Sequence, residues 1–354
     1  MDRARQWPTY ALPAAIATAS RAYSIAVITA VATVSGMHRS VLSIWDAAWY
    51  LRIAATGYHG RAVFGLHDFA FFPAWPALVK LASLGVLPPD VTGAVLANML
   101  FIVAVVLIWI VLAARLGDGA ATGGVLLLAF APPAYVFSLP YSETLFLAAA
   151  ALFFCAGPDS RWRLPLAALA MLTRIAGAAL VASSLLVAAR TTGRHRYAAL
   201  AAAAGGILAF AIWWAFIALL TRQFAGFLLG SPSWDHGGSG LTRLIAALHR
   251  PTVERVAWLA FFVLVTLGAV GLARVDLELA AFSLAALSFA LLPGGTVNSM
   301  PRYALSAFPA FGGLALWAQR PGWKLLAVVA VAFAVGQIAF ASWVLAAPPH
   351  AVAP

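Results

Sequence analysis

Charged residues and cysteine are both scarce in this sequence. Of its 354 residues only 9% are Asp, Glu, Lys or Arg, and 64% are hydrophobic, whereas a soluble globular domain has about 45 to 50% apolar residues. This shortage of charge excludes a soluble globule and indicates a polytopic membrane protein. The single cysteine, Cys155, lies in an apolar run, which excludes a disulfide framework and a thiolate metal site. We interpret it as a small core residue.

Acidic residues are the scarcer of the two charged classes, with 11 Asp and Glu against 22 Lys and Arg. In a soluble domain this basic surplus would suggest nucleic acid, but here the charges are dispersed in short segments between apolar runs. We therefore expect no nucleic-acid partner, and we expect the basic residues to contact membrane-lipid headgroups and phosphates. The seven histidines lack the spacing of metal ligands. The sequence predicts no metal site and no certain cofactor; a divalent cation is possible, but nothing in the sequence supports one.

Apolar runs occupy most of the chain and predict an all-α polytopic protein. They form one domain, residues 1–354, with about eleven transmembrane helices. Because Arg3 and Arg5 precede the first run, we place two long loops, residues 36–90 and 221–255, on the extracytoplasmic side. The predicted spans are residues 14–34, 91–114, 120–137, 143–156, two short helices within 164–189, then 197–220, 256–273, 277–292, 303–318 and 324–346.

Two arginines interrupt apolar runs. Arg21 lies in the first span, where a charge at the bilayer centre costs roughly 2.5 to 3.5 kcal/mol, so we expect its side chain to snorkel or to pair, and its position near the start of the span favours snorkelling. Arg174 lies in the middle of residues 164–189, and a single crossing would bury it in hydrocarbon. Two short helices that meet at Thr173-Arg174 avoid this cost and bring the arginine to the outer surface.

The first long loop contains the segment in which charge, aromatic residues and helical periodicity meet. Trp45, Trp49 and Ile53 share one side on a 3.6-residue period, while Asp46 and Tyr50 occupy another. Trp and Tyr favour the interface between hydrocarbon and water. We therefore predict a short interfacial helix, either a plain anchor whose acid caps the helix or a helix that carries a site.

A second interfacial helix is predicted in the same loop, within residues 71–87. This apolar piece has about sixteen residues, two prolines and a lysine, so it is shorter than the ~20 residues that cross a bilayer. The predicted topology then brings several charged residues to one compartment, among them Asp46, Asp68, Glu143, Arg174 and Arg302.

Acids and arginines gathered in one place suit the transfer of a sugar from a lipid-phosphate donor. A transferase that uses a lipid-phosphate sugar donor needs one carboxylate to take the proton from the acceptor hydroxyl, and cations to hold the departing phosphate. Arginine binds phosphate through its bidentate fork. The individual residues keep simpler interpretations: Asp68 as a solvated loop acid, Glu143 as a helix-dipole partner, Arg174 as the partner of a protein acid, and Arg302 as a snorkelling residue.

Five blocks in chain order resemble the bacterial branch of the PIG-V mannosyltransferase family. The blocks are Trp45-Asp46 with Tyr50-Leu51-Arg52 and Gly57-Tyr58, Phe71-Phe72-Pro73, Tyr141-Ser142-Glu143, Thr173-Arg174, and Ser299-Met300-Pro301-Arg302-Tyr303. The resemblance implies a GT-C-type glycosyltransferase fold. It also implies an extracytoplasmic site and an inverting transfer from a polyprenyl-phosphate sugar, mannose in this family, to a glycolipid or glycan acceptor.

The resemblance implies Asp46 as the general base. With it we interpret Arg174 and Arg302 as ligands of the donor phosphate. The expected substrate-binding residues are Trp45, Tyr50, Arg52, Tyr58, Asp68, Tyr141 and Glu143. The expected location is the cell membrane, with many spans.

Two other function classes stay open at this point. A transporter or flippase of lipid-linked sugars would need polar groups along a path through the middle of the membrane, and often repeated, broken helices. The polar residues of this sequence gather at one face instead, which favours an enzyme. A non-catalytic membrane scaffold of the same family would have the same apolar pattern.

Overall fold

The computed structural model describes residues 8–37, 41–60, 62, 67–229, 245, 248–249, 251–291, 299–320 and 322–345, and these residues contain no strand. The α-helices are α1 (Pro8–Val34), α2 (Asp46–Thr56), α3 (Ala74–Ser83), α4 (Pro89–Leu116), α5 (Asp118–Ala129), α6 (Glu143–Cys155), α7 (Arg163–Thr173), α8 (Ala178–Arg190), α9 (Gly193–Thr221), α10 (Val253–Leu272), α11 (Leu277–Ser288), α12 (Met300–Ala304), α13 (Phe308–Gln319) and α14 (Trp323–Leu345). Most of the predicted second loop, residues 221–255, lies outside the described residues.

Few of these helices are long enough to cross a bilayer alone. Within the described residues, α1, α4, α9, α10 and α14 are long and apolar enough to cross a membrane, and α5 joined to the following 3-10 helix would be a sixth span. The predicted count of about eleven is not confirmed. Helices such as α6 and α8, with 13 residues each, rise only about 20 Å, against ~30 Å of hydrocarbon.

The break predicted within residues 164–189 is present in the structure. Helix α7 ends at Thr173, Arg174 adopts an extended conformation, and a 3-10 turn over Ile175–Gly177 leads into α8. Both α7 and α8 pack against α9. Gly177 lies close against the backbone of Ala170 and Met171, so the chain folds sharply at the Arg174 break.

The two short helices predicted in the first loop are also present. Helix α2 ends at Thr56 and is followed by Gly57, whose φ of 79° lies in the left-handed region that favours glycine. Helix α3 has ten residues, about 15 Å of rise, which is half of the hydrocarbon thickness. Trp49 of α2 stacks on Phe71 with the ring centroids 5.8 Å apart, and α2 and α3 pack together.

Arg21 does not snorkel, which corrects the sequence prediction. Its side chain is 3% exposed, and its guanidinium donates to the carbonyl oxygens of Ala134 (3.0 Å) and Ala129 (3.3 Å) and to Ser138 Oγ (3.0 Å). The guanidinium carbon also lies 4.1 Å from the ring centroid of Phe101. Arg21 is therefore a buried arginine held by neutral acceptors.

The bend that Arg21 supports was also not predicted. Residues 120–137 were expected as one span, but α5 ends at Ala129 and the 3-10 helix Pro132–Ser138 leaves at 76°. A helix end leaves carbonyl oxygens without intrahelical partners, and Arg21 supplies several donors there. Beyond the 3-10 helix, the chain continues through Tyr141 into α6.

Candidate active site

Two acids and two arginines from four separate segments form one ion-pair network. Arg302 of α12 places Nη1 2.5 Å from Asp46 Oδ2, and its Nε lies 3.4 Å from Glu143 Oε1. Arg174, at the break between α7 and α8, forms an ion pair with the same oxygen of Glu143. We call these four residues the charge network. Its formal charge is zero.

Each acid of the charge network is the first residue of a helix. Glu143 begins α6 and Asp46 begins α2, positions at which a carboxylate compensates the positive end of the helix dipole. Trp45, just before Asp46, has φ 53° and ψ −132°. A bulky residue with positive φ costs about 1 to 3 kcal/mol, and such strain is typical of functional sites.

The two acids differ in their access to solvent. The Glu143 side chain is 2% exposed and lies against both arginines, whereas the Asp46 side chain is 27% exposed and contacts Arg302. Arg174 and Arg302 are 10% and 15% exposed. The network thus has one enclosed carboxylate and one carboxylate that solvent or a substrate can reach.

Burial and charge act in opposite directions on the two guanidinium groups. Burial alone would lower the pKa of Arg302, but Asp46 and Glu143 hold that pKa well above its ordinary value. Glu143 likewise offsets burial and raises the pKa of Arg174. Both arginines therefore stay charged, as a phosphate ligand requires.

Aromatic and hydroxyl groups surround the charge network. The Arg302 guanidinium carbon lies 5.3 Å from the ring centroids of both Tyr141 and Tyr303. The Tyr50 hydroxyl is 2.7 Å from Ser142 Oγ, and Arg174 Nη1 donates to Ser142 Oγ at 3.4 Å. Burial raises the pKa of Tyr50, so its phenol stays protonated and can donate a hydrogen bond.

A second cluster in the first loop contains three of the predicted residues. Asp68 is buried and accepts hydrogen bonds from the backbone N–H of His59 (3.1 Å) and from the His59 ring at Nδ1 (2.9 Å). Arg52 lies 3.6 Å from the same carboxylate, with its guanidinium over the Trp49 ring at 4.0 Å. The Tyr58 hydroxyl donates to the backbone oxygen of Phe71 at 2.7 Å, in the same part of the loop.

The predicted site residues therefore fall into two groups. The charge network and its shell contain Asp46, Tyr50, Tyr141, Glu143, Arg174 and Arg302, with Trp45 adjacent in sequence, whereas Arg52, Tyr58 and Asp68 belong to the second cluster. Sequence reasoning missed Ser142, Tyr303 and His59. The first two lie inside the sequence blocks quoted above, but nothing in the spacing of His59 pointed to Asp68. Across the described residues, no group of three or more His, Cys, Asp or Glu side chains could hold a metal ion.

A family model covers much of this arrangement. The model of the mannosyltransferase (PIG-V) family matches residues 7–201, more than half of the chain. The chain belongs to this family. The matched region contains Asp46, Glu143 and Arg174 and ends before Arg302. Among curated proteins, none matches the sequence significantly.

The solved structures of ArnT, a GT-C membrane glycosyltransferase, have a similar fold. ArnT from Cupriavidus metallidurans bound to undecaprenyl phosphate has a TM-score of 0.53 at 16% identity, over 86% of this chain and 61% of that one. The apo form of ArnT gives 0.51 at 19% identity, over 84% and 59%. The Archaeoglobus fulgidus oligosaccharyltransferase tethered with an acceptor peptide gives 0.47 at 11% identity, over 90% and 55%.

The two ArnT comparisons show the fold of this family member. It is a membrane protein with a GT-C-type glycosyltransferase fold, as the resemblance had implied. The chain spans about three fifths of the length of the ArnT chains.

Proposed function

We propose that this protein is a membrane mannosyltransferase that moves a sugar from a polyprenyl-phosphate donor to a glycolipid or glycan acceptor. The observation that carries the proposal is the charge network, in which a reachable carboxylate, Asp46, lies beside two charged arginines. The family match supports mannose as the sugar. The undecaprenyl phosphate bound to ArnT supports a polyprenyl-phosphate donor.

The proposed step is an inverting displacement at the anomeric carbon. The acceptor hydroxyl oxygen forms a bond to C1 of the sugar, and the bond from C1 to the phosphate oxygen breaks, its electron pair leaving with the phosphate. The hydroxyl proton passes to the Asp46 carboxylate. A departing phosphate needs no general acid, unlike the alkoxide released in glycoside hydrolysis.

Exposure favours Asp46 over Glu143 as the base. A base must lie within hydrogen-bond reach of the acceptor hydroxyl, and the Asp46 side chain is 27% exposed against 2% for Glu143. Arg174 and Arg302 are the proposed ligands of the donor phosphate, since a guanidinium binds phosphate in a bidentate manner.

The remaining predicted residues surround these groups and are proposed to bind substrate. Tyr50 and Tyr141 flank the charge network, and Trp45 precedes the base. The second cluster, with Arg52, Tyr58 and Asp68, lies in the loop proposed to be extracytoplasmic, and we assign it to the acceptor. We propose that the site faces the extracytoplasmic side of the cell membrane.

The test is a transfer assay with the full chain. Purified protein is incubated with radiolabelled polyprenyl-phosphate mannose and a membrane extract, and labelled products are identified. We expect a labelled product that contains mannose in a new glycosidic bond. Asp90→Asn is the matched control, because Asp90 lies in the first turn of α4 and outside the charge network, and we expect it to retain activity. Movement of the label across a vesicle membrane without a new bond would contradict the proposal and indicate a flippase.

A further inference from the structure

Arg302 has two proposed duties that conflict in the structure as it stands. It is a proposed ligand of the donor phosphate, yet its Nη1 is already 2.5 Å from Asp46 Oδ2. Asp46 in turn is the proposed base, yet one of its two oxygens is engaged by a guanidinium. Neither group can carry out its task fully while this ion pair persists.

The charge balance of the network also indicates that an ion pair must break when the donor binds. The charge network contains two carboxylates and two guanidinium groups, so its formal charge is zero. The most exposed of its four side chains is only 27% exposed. A phosphate that entered without rearrangement would add uncompensated negative charge to this enclosed place, which is unfavourable in a low dielectric. One carboxylate must leave the arginines when the phosphate arrives.

The two carboxylates differ in their freedom to leave. Glu143 is 2% exposed, begins α6 and contacts both arginines. If Glu143 moved away, both guanidinium groups would lose a partner and its own charge would stay buried. Asp46 is 27% exposed and is held by the short helix α2, next to the strained Trp45. Asp46 is therefore the carboxylate that can be exchanged.

We propose that Asp46 and the donor phosphate compete for Arg302. In the free protein Asp46 occupies the place on Arg302 that the phosphate takes, and donor binding releases the Asp46 carboxylate to receive the acceptor proton. Glu143 is a positioning residue that stays with both arginines throughout. This inference rests on the proposed function, and it makes the base available only when a donor is bound.

The surroundings of Arg302 suit such an exchange. Tyr141 and Tyr303 lie at equal distances from its guanidinium carbon, 5.3 Å from each ring centroid, and Glu143 Oε1 lies 3.4 Å from its Nε. Asp46 contacts a different atom of the guanidinium, Nη1. The guanidinium can therefore keep its position while its partner at Nη1 changes from a carboxylate to a phosphate.

Binding of undecaprenyl phosphate to the purified full chain tests the exchange. Because Asp46→Asn removes the competing charge, we expect it to bind this lipid about tenfold more tightly than the parent or better. Arg302→Gln should bind it about tenfold more weakly. In the Arg302→Gln background, adding Asp46→Asn should change the dissociation constant by less than about threefold, since no shared partner remains. Asp90→Asn is the control for general loss of negative charge, and we expect unchanged binding.

A tighter complex together with a slower transfer is a combination that damage to the fold would not produce. Asp46→Ser serves as a second variant, with the same expected direction, and thermal unfolding checks that each variant is folded. If Asp46→Asn and Asp46→Ser bind the lipid no more tightly than the parent while transfer persists in the parent, the exchange is overturned and the proposed function stands. If the parent and all variants fail to bind the lipid, the polyprenyl-phosphate donor is overturned together with the exchange.

Discussion

Asp46 and Glu143 have the same charge and each begins a helix, yet their surroundings give them different tasks. Glu143 is enclosed and shared by two arginines, whereas Asp46 is partly open and contacts one of them. An enclosed carboxylate between two cations mainly stabilises the structure, because removal of either partner leaves buried charge. A partly exposed ion pair contributes little to stability. Asp46 can therefore change partners at little cost to the fold.

This difference predicts unequal effects of two matched substitutions on stability. Glu143→Gln should lower the free energy of unfolding by about 3 to 5 kcal/mol, because Arg174 and Arg302 lose their shared counter-ion. Asp46→Asn should lower it by less, because only Arg302 loses a partner and that arginine keeps Glu143. Thermal unfolding of both variants in detergent measures the difference. Equal shifts of the midpoint would contradict the distinction between an enclosed and an exchangeable acid.

Tyr50 makes the stability of the protein depend on pH in the alkaline range. Burial raises the pKa of this phenol in the folded state, so the folded protein keeps a proton that the unfolded chain loses above about pH 10. By linkage, stability is fully present below pH 10 and falls as the pH rises above it. Tyr50→Phe should make this loss shallower, as measured by unfolding midpoints between pH 8 and 11. An unchanged slope in the variant would show that Tyr50 does not titrate in this way.

At the level of elements, the sequence predicted helices where periodicity and length both constrain the chain. Helix α2 follows from the spacing of Trp49 and Ile53, and the break before α8 follows from Arg174 inside an apolar run. The bend after α5 was missed because residues 120–137 are apolar and long enough for one span. The adjacent prolines Pro132 and Pro133 were the available signal, since proline lacks an N–H and disfavours a continuing helix.

Arg21 could not be placed from the sequence because its partners are distant along the chain. It holds the bend by donating to Ala129 and Ala134, more than 100 residues away. Arg21→Met should lower the free energy of unfolding by about 1 to 3 kcal/mol for each buried acceptor left without a donor. Arg21→Lys should recover only part of this loss, because an ammonium lacks the planar fork.

Thermal unfolding of the Arg21 variants measures these losses. Arg190→Met is the matched control, since Arg190 is exposed at the end of α8, and such surface changes lie within about 0.5 kcal/mol. If Arg21→Met unfolds at the parental temperature, the arginine does not support the bend.

At the scale of the whole molecule, two groups of ion pairs lie at the two ends of α7. At its start, Arg163 donates to Glu278 at 2.8 Å, and Glu278 also pairs with Arg115 at the end of α4. At its end lies Arg174 of the charge network. The eleven residues of α7 rise about 16 Å, so about this distance along the helix separates the two groups of ion pairs.

The sidedness of the molecule is open to a direct test. Single cysteines are introduced at Ala55, which is exposed on α2, and at Arg194, near the start of α9, in a Cys155→Ser background. If the first loop is extracytoplasmic, an impermeant thiol reagent should label position 55 in intact cells, and position 194 only after permeabilisation. The reverse pattern would place the proposed site on the cytoplasmic side.

The predicted number of spans shows what the sequence could not decide. Apolar composition located nearly every helix, but it did not reveal that short runs of 11 to 13 residues, such as α6 and α7, have one end at the charge network. That outcome depends on ion pairs between distant residues. The pairing of Asp46 with Arg302 and of Glu143 with Arg174 joins segments far apart in sequence, and no local pattern specifies it.

The rate of sugar transfer by Asp46→Asn tests the central claim most directly. Asn keeps the size and most of the hydrogen bonding of Asp but cannot accept the proton, so the single-turnover rate should fall about 10²- to 10⁴-fold. The variant should remain folded and should still bind the donor. Asp46→Glu should recover little, because the added methylene moves the carboxylate by roughly 1 Å. Transfer by Asp46→Asn at near the parental rate would contradict the assignment of Asp46 as the base.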